Sequence, residues 1–262
     1  MQRDDHGQRV RFFLDGPTTF KSLRQFSRFP AADLRAAGRS RLFAPHILEG
    51  HFASDRLEDK FIRALAARRA VDLGEILESF EFFERVRPRM RAPCIGDLCC
   101  GHALLGILFA LFERKVERVV CLDRTQPPSY HKVLESAVEV APWVGPKMEY
   151  HIGPIGPDWR SFLPPGTPLM AVHACAGLTD RCIDLALELN SRLAVMPCCH
   201  RPGLSKAPPI ITQELGYRLA IDVDRTYRLT EAGYKVHWSK IPEAVTPINR
   251  ILMATPPDTP AN

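Results

Sequence analysis

With 262 residues, 45% of them hydrophobic, the chain has the apolar material for a full core, and its length fits one α/β domain plus an appendage rather than two equal domains. No uninterrupted apolar run is long enough to span a bilayer and the start, Met1 to His6, is polar rather than signal-like, so a soluble, cytoplasmic protein is expected. The net charge of +5 sits entirely in one part: residues 1 to 93 carry 18 Lys and Arg against 13 Asp and Glu, whereas residues 94 to 262 carry 17 of each, which points to an anionic partner, nucleic acid first.

Eight cysteines include the adjacent pairs Cys99-Cys100 and Cys198-Cys199, set among apolar strand residues. Reduced thiols are expected rather than a disulfide framework.

From Gln8 to Ile47 basic residues interleave with aromatics, among them Arg11, Phe12, Phe13, Phe20, Lys21, Arg24, Phe26, Arg28, Phe29, Arg39, Arg41 and Phe43. Two readings stand: a surface that grips a nucleic-acid backbone and stacks on bases, or, favoured for most of the phenylalanines, side chains that dock this extension on the main domain. Asp55-Arg56-Leu57-Glu58 reads as a capping box opening a helix to about Arg69. A second amphipathic helix, with Leu73, Ile76, Leu77, Phe80 and Phe83 inward, is expected to stop at Pro88.

The stretch Pro93 to Gly106 reads as strand, tight turn and apolar helix, with Gly101 inside the turn. A second strand, Val119 to Asp123, ends in an acid 26 positions after Asp97, the arrangement that holds ribose hydroxyls in nucleotide-binding βαβ units. Leu104 to Phe112 is apolar all round, as for a helix packed between two layers. Then come a helix from about Tyr130 to Val140, strands Met148 to Ile152, Leu169 to Val172 and Leu193 to Met196, and a helix between the last two capped by Thr179 or Asp180. Leu215 to Ala232 has helical spacing and stops at Gly233; Tyr234 to Ile241 and Arg250 to Ala254 then form an antiparallel hairpin.

The order of elements resembles the class I S-adenosylmethionine-dependent methyltransferases, and Asp97-Leu98-Cys99-Cys100-Gly101-His102-Ala103 looks like their first motif, with Cys99 and Ala103 where glycines are common. Three further stretches are similar to the branch that includes the acceptor-stem tRNA 2′-O-methyltransferases: His173-Ala174-Cys175-Ala176-Gly177 with Thr179-Asp180, Cys198-Cys199-His200, and Asp222 to Tyr227 running to Gly233-Tyr234. Thr246 to Arg250 fits the same branch, while Arg201-Pro202 stands where its second His and extra Cys would follow.

The resemblance covers roughly residues 93–255 and implies there an α/β, Rossmann-like sheet with a C-terminal antiparallel hairpin; by their own composition residues 1–92 read as a mostly helical basic extension and 256–262 as a disordered tail. The resemblance implies S-adenosylmethionine as cofactor, held by Asp97, Cys99, Cys100, Gly101, Asp123 and His173. It also places His173, Cys175, Asp180, Cys198, Cys199 and His200 near the transferred methyl group, with His173 or His200 as the proton acceptor and RNA, tRNA included, as the acceptor. Other acceptors, a small molecule or a protein with the extension as a lid, and a cofactor-binding module without chemistry remain alternatives. Each of these cysteines and histidines also has a plain structural reading, as a space filler or a backbone partner. A metal is the last alternative, because Cys99, Cys100, Cys175, Cys198, Cys199 and His200 all fall at strand ends. With no C-x2-C pair and few precedents for adjacent cysteines on one ion, none is expected.

Overall fold

The computed structural model describes residues 19–38, 45–154, 157–204 and 206–257. Phe12, Phe13, Arg11, Arg39, Arg41, Phe43 and the end of the tail lie outside them.

Four helices come first: α1 (Ala31–Gly38), α2 (Pro45–His51), α3 (Leu57–Ala67) and α4 (Leu73–Met90). The main unit then alternates β1 (Cys94–Leu98), α5 (Leu104–Phe112), β2 (Arg118–Asp123), α6 (Ser129–Val140), β3 (Met148–Ile152), β4 (Leu169–Val172), α7 (Gly177–Glu188) and β5 (Leu193–Met196). It closes with α8 (Pro209–Glu231), β6 (Lys235–Lys240) and β7 (Arg250–Thr255). The seven strands lie in the order β3-β2-β1-β4-β5-β7-β6, parallel except for β7, which runs antiparallel to both β5 and β6. This is the Rossmann-like α/β sheet with a terminal hairpin expected from the sequence.

The order reverses between β1 and β4. In open α/β sheets a ligand binds outside the carboxyl ends of the strands at that reversal. α5 starts at that crevice and packs over β1 and β2, its residues from Leu104 to Leu111 all buried. Gly106 makes the approach close: a Cβ on it would lie 2.8 Å from Val119 Cγ1 and 3.0 Å from Asp97 Oδ2.

The described part of the extension shares the core of the main unit. Phe20, Leu23 and Phe26 share one core with Phe83 of α4 and Phe109 of α5, while Lys21, Arg24, Arg28 and Arg35 face solvent. A fully buried carboxylate, Glu81, clamps it: Glu81 accepts the backbone N–H groups of Lys21 (3.0 and 3.1 Å) and Ser22 (2.8 Å) and pairs with the buried Arg85. Arg85 in turn donates to the carbonyls of Thr19 and Lys240.

Several local expectations are corrected. The Asp55–Glu58 capping box does not form, because Ser54 takes Asp59 instead and Arg56 occupies the cap; the box lies one helix later, at Asp72 and Glu75. α4 continues past Pro88 to Met90, where Arg192 donates to the carbonyls of Arg89 and Arg91. Neither Thr179 nor Asp180 caps α7: the Thr179 hydroxyl donates back to the Ala174 carbonyl, and Asp180 is engaged by Arg225. α8 begins earlier than expected, at Pro209, but is interrupted at Gly216, which has φ +73° and ψ 151°.

Candidate active site

The turn after β1 is built from residues in the left-handed region: Cys99 (φ +53°), Gly101 (φ +51°) and Ala103 (φ +57°). The two positions where glycine would be the easy choice therefore keep that conformation with a side chain, at a cost of about 1–2 kcal/mol each. Their small side chains permit it. Ala103 is fully buried, and the Cys99 thiol meets Cys182 of α7. Cys100 likewise meets Cys121 of β2; burial raises the Cys100 thiol, and the hydrogen bond to Cys100 together with burial raises that of Cys121. Nothing lies within 4 Å of where a Gly101 Cβ would be, so the turn presents bare backbone to open space.

Asp123, at the carboxyl end of β2, holds this turn: its Oδ2 accepts the Gly101 N–H at 2.8 Å and its Oδ1 the Thr125 N–H at 3.3 Å. Each oxygen keeps a lone pair for a further donor. From the other side the Tyr150 hydroxyl lies 2.7 Å from the Gly101 carbonyl and 3.0 Å from that of Thr125. Tyr150 was not anticipated.

Asp97 lies beneath the turn, 2% exposed, with Oδ2 accepting the Gly106 N–H at 2.9 Å. Burial pushes its carboxyl up to about 7, with the Asp123 charge adding to the rise and the Gly106 bond opposing it. It ties β1 to the start of α5.

The β4 loop is strained at His173 (φ +70°) and Ala176 (φ +53°), conformations that cluster where function constrains the backbone. The half-exposed His173 imidazole places Nε2 3.0 Å from Glu78 of α4. Burial favours the neutral ring, but the Glu78 hydrogen bond and charge, joined by Glu75, outweigh it and raise the pKa above the ordinary histidine value. One turn away on α4, Glu75 faces His102 of the β1 turn at 3.5 Å, and its carboxyl is lowered because the His102 bond and charge outweigh burial. α4 thus carries two carboxylates across both loops. The i, i+3 spacing of Glu75 and Glu78 was visible in the sequence; the partners were not. Beside them a cavity of about 290 Å³ is lined by Leu34 and Arg35 of α1, by Glu75 and Glu78, and by Val245 and Pro247 of the β6–β7 connection.

His200 is not at the surface. Its side chain is 2% exposed and its Nε2 lies 2.9 Å from Asp222 Oδ1. Asp222 Oδ2 accepts from Arg250 at 2.6 Å, and Arg250 stacks over Trp238, 4.9 Å from the ring centre. The buried Arg225 grips Asp180 through two hydrogen bonds (3.0 and 2.9 Å) and donates to the Ala176 carbonyl at 3.2 Å. Asp180 and His200 are therefore parts of one polar network binding α8 to the two loops.

The cysteine expectation is also corrected. Because Val172 and Met196 are register partners in adjacent parallel strands, Cys175 and Cys198, three and two residues further on, fall side by side; they form a disulfide, with Cα atoms 5.8 Å apart. Cys94, Cys99, Cys100, Cys121, Cys182 and Cys199 are free thiols. Among the described residues no helix is long and apolar enough to cross a membrane.

No family model and no curated protein matches this sequence. Solved structures do resemble it. TrmK of M. capricolum, in complex with S-adenosyl-homocysteine, is 12% identical over 69% of this chain and 69% of its own, with a TM-score of 0.43. An rRNA methylase from Streptococcus thermophilus is 12% identical over 69% of this chain and 95% of its own (TM-score 0.41), and the methyltransferase domain of bacterial CtHen1-CN is 14% identical over 66% and 94% (TM-score 0.43). At these values neither substrate nor chemistry transfers from them to this chain.

Proposed function

We propose that the chain is an S-adenosylmethionine-dependent methyltransferase whose acceptor is RNA, tRNA included. The observation that carries the cofactor assignment is the pairing of Asp123 with the bare Gly101 backbone at the sheet's reversal point. A carboxylate at the end of β2 with lone pairs to spare suits two ribose hydroxyls, and an open turn suits a ligand that must approach main chain closely. Cys99 and Cys100 line this turn, and Asp97 keeps it in place from below. His173 and the β4 loop border the other side of the reversal.

The cofactor would supply an activated methyl carbon on a sulfonium. The protein's share is alignment of the acceptor and, where that is a hydroxyl, removal of its proton. His173 is suited to the proton: it is accessible, and Glu78 orients it and stabilises its charged form. His200 and Asp180 act through the network that fixes the β4 and β5 loops, not by touching the acceptor. Lys21, Arg24, Arg28 and Arg35, exposed on a segment whose aromatic residues are turned inward, supply positive charge for a phosphate backbone.

The 290 Å³ cavity favours a second reading, in which α1 closes over a small acceptor held near Glu75 and Glu78. One experiment separates the two: transfer of labelled methyl groups to total tRNA, assayed at rising salt. Incorporation that falls steeply with salt supports RNA; no incorporation into tRNA, with labelling of a small-molecule fraction instead, supports the closed pocket.

A further inference from the structure

The Cys175–Cys198 disulfide leaves one feature of its surroundings without a role. The Cys199 sulfur lies in the same cluster: those of Cys175, Cys198 and Cys199 are all within 4.8 Å of one another, half-buried at the ends of β4 and β5. A disulfide uses two sulfurs. Once that disulfide is reduced, three sulfurs this close suit a borderline-soft cation, since tetrahedral zinc with bonds of about 2.3 Å would separate its sulfurs by roughly 3.8 Å.

The backbone that carries these sulfurs is held from several sides. Leu178 N–H donates to the Cys175 carbonyl at 3.0 Å, the Thr179 hydroxyl to that of Ala174, Arg225 to that of Ala176 at 3.2 Å, and His173 N–H to that of Met196 at 3.2 Å. On the other strand Pro197 fixes the step into Cys198. Next to Cys199, the buried His200 has Nε2 on the Asp222 carboxylate, which anchors the chain just past the third sulfur. His200 lies outside the sulfur group and is not counted as a ligand.

We infer that the reduced protein binds one zinc ion through the thiolates of Cys175, Cys198 and Cys199, the neighbours Cys198 and Cys199 sharing the ion because this loop, unlike most adjacent pairs, brings both of their sulfurs within 4.8 Å of each other and of Cys175. Three protein ligands leave the fourth position for water or for a donor atom of a bound ligand. The disulfide and the metal site are alternative states of the same sulfurs. Passing from one to the other requires two electrons and two protons, which a phosphine reductant with water supplies as it becomes the phosphine oxide; zinc then displaces the thiol protons.

The test uses the full chain, reduced with a phosphine without air, stripped with a chelator and titrated with zinc chloride against a chromophoric competitor. One equivalent per chain is expected. Cys199→Ser, which spares the disulfide pair, should weaken zinc by more than the roughly 10–100-fold that loss of an outer-sphere partner costs. To keep the test independent of any folding defect in that variant, the unaltered protein is alkylated with and without zinc and mapped by mass spectrometry. Protection of Cys175, Cys198 and Cys199, with Cys94 labelled equally in both, is the supporting result. Absence of stoichiometric zinc in the reduced chain, undiminished binding by Cys199→Ser, or protection that falls on other cysteines overturns the inference. None of these readouts depends on methyl transfer.

Discussion

Replacing Glu81 with Ala tests how the extension is fastened. The carboxylate is fully buried and accepts three hydrogen bonds from the Lys21 and Ser22 backbone, so its removal orphans the N–H groups of both residues at once. It also leaves the Arg85 guanidinium, 2% exposed, without its counter-charge. Breaking a buried ion pair from one side costs about 3–5 kcal/mol, because the surviving charge keeps its desolvation penalty. In a chain of this size that corresponds to a fall in melting temperature of roughly 10 °C. Urea unfolding followed by circular dichroism measures the change in stability, and limited proteolysis around residues 19–22 shows where it begins. Glu81→Gln keeps an acceptor oxygen and should lose less. A loss below about 1 kcal/mol in Glu81→Ala would refute the reasoning, since it would mean that Arg85 finds water or another partner at no cost.

Two further predictions concern protonation. Glu78→Gln should bring the raised pKa of His173 down, seen by NMR titration of the imidazole, and shift the rising limb of the methyl-transfer rate to lower pH; an unmoved titration would detach His173 from Glu78. Asp97, with a folded-state pKa of about 7 against the ordinary 3.8, binds its proton more tightly folded than unfolded. Its contribution to stability is therefore greatest at low pH and declines as pH rises from about 4 through 7, and Asp97→Asn should remove that component from the pH dependence of urea unfolding. An unchanged profile would mean that the carboxyl is already ionised in the fold.

How much of this could be read in advance follows from which forces were local. The βαβ unit from β1 to β2 was legible because α5 is apolar on every side and Asp123 ends a strand, both visible within a short window. The hairpin was legible from the Gly233 stop, the alternation of polar and apolar residues from Tyr234 to Ile241 and the apolar run within Arg250 to Ala254. Pro88 misled, since it sits in the last turn of α4 and the carbonyls beyond it are taken by Arg192, about a hundred residues away. Gly216 was hidden inside a helical pattern, where a single φ of +73° breaks the run. The site divided in the same way. Gly101 and Asp123 were chosen by pattern and the structure brings them into contact, whereas Glu75, Glu78 and Tyr150 meet their partners only once the helices and strands are packed. From the sequence His200 stood beside His173 as a proton acceptor near the transferred methyl, or as a loop-backbone partner. Its burial against Asp222 depends on α8, which no local signal near residue 200 announces.

The most direct measurement is calorimetric titration with S-adenosylhomocysteine of the unaltered chain and of Asp123→Ala. Binding in the micromolar range, on the order of 8 kcal/mol, by the unaltered chain and its loss in the variant is the expected result. Equal binding by both would remove Asp123 from the cofactor site, and no binding by the unaltered chain would contradict the methyltransferase account itself.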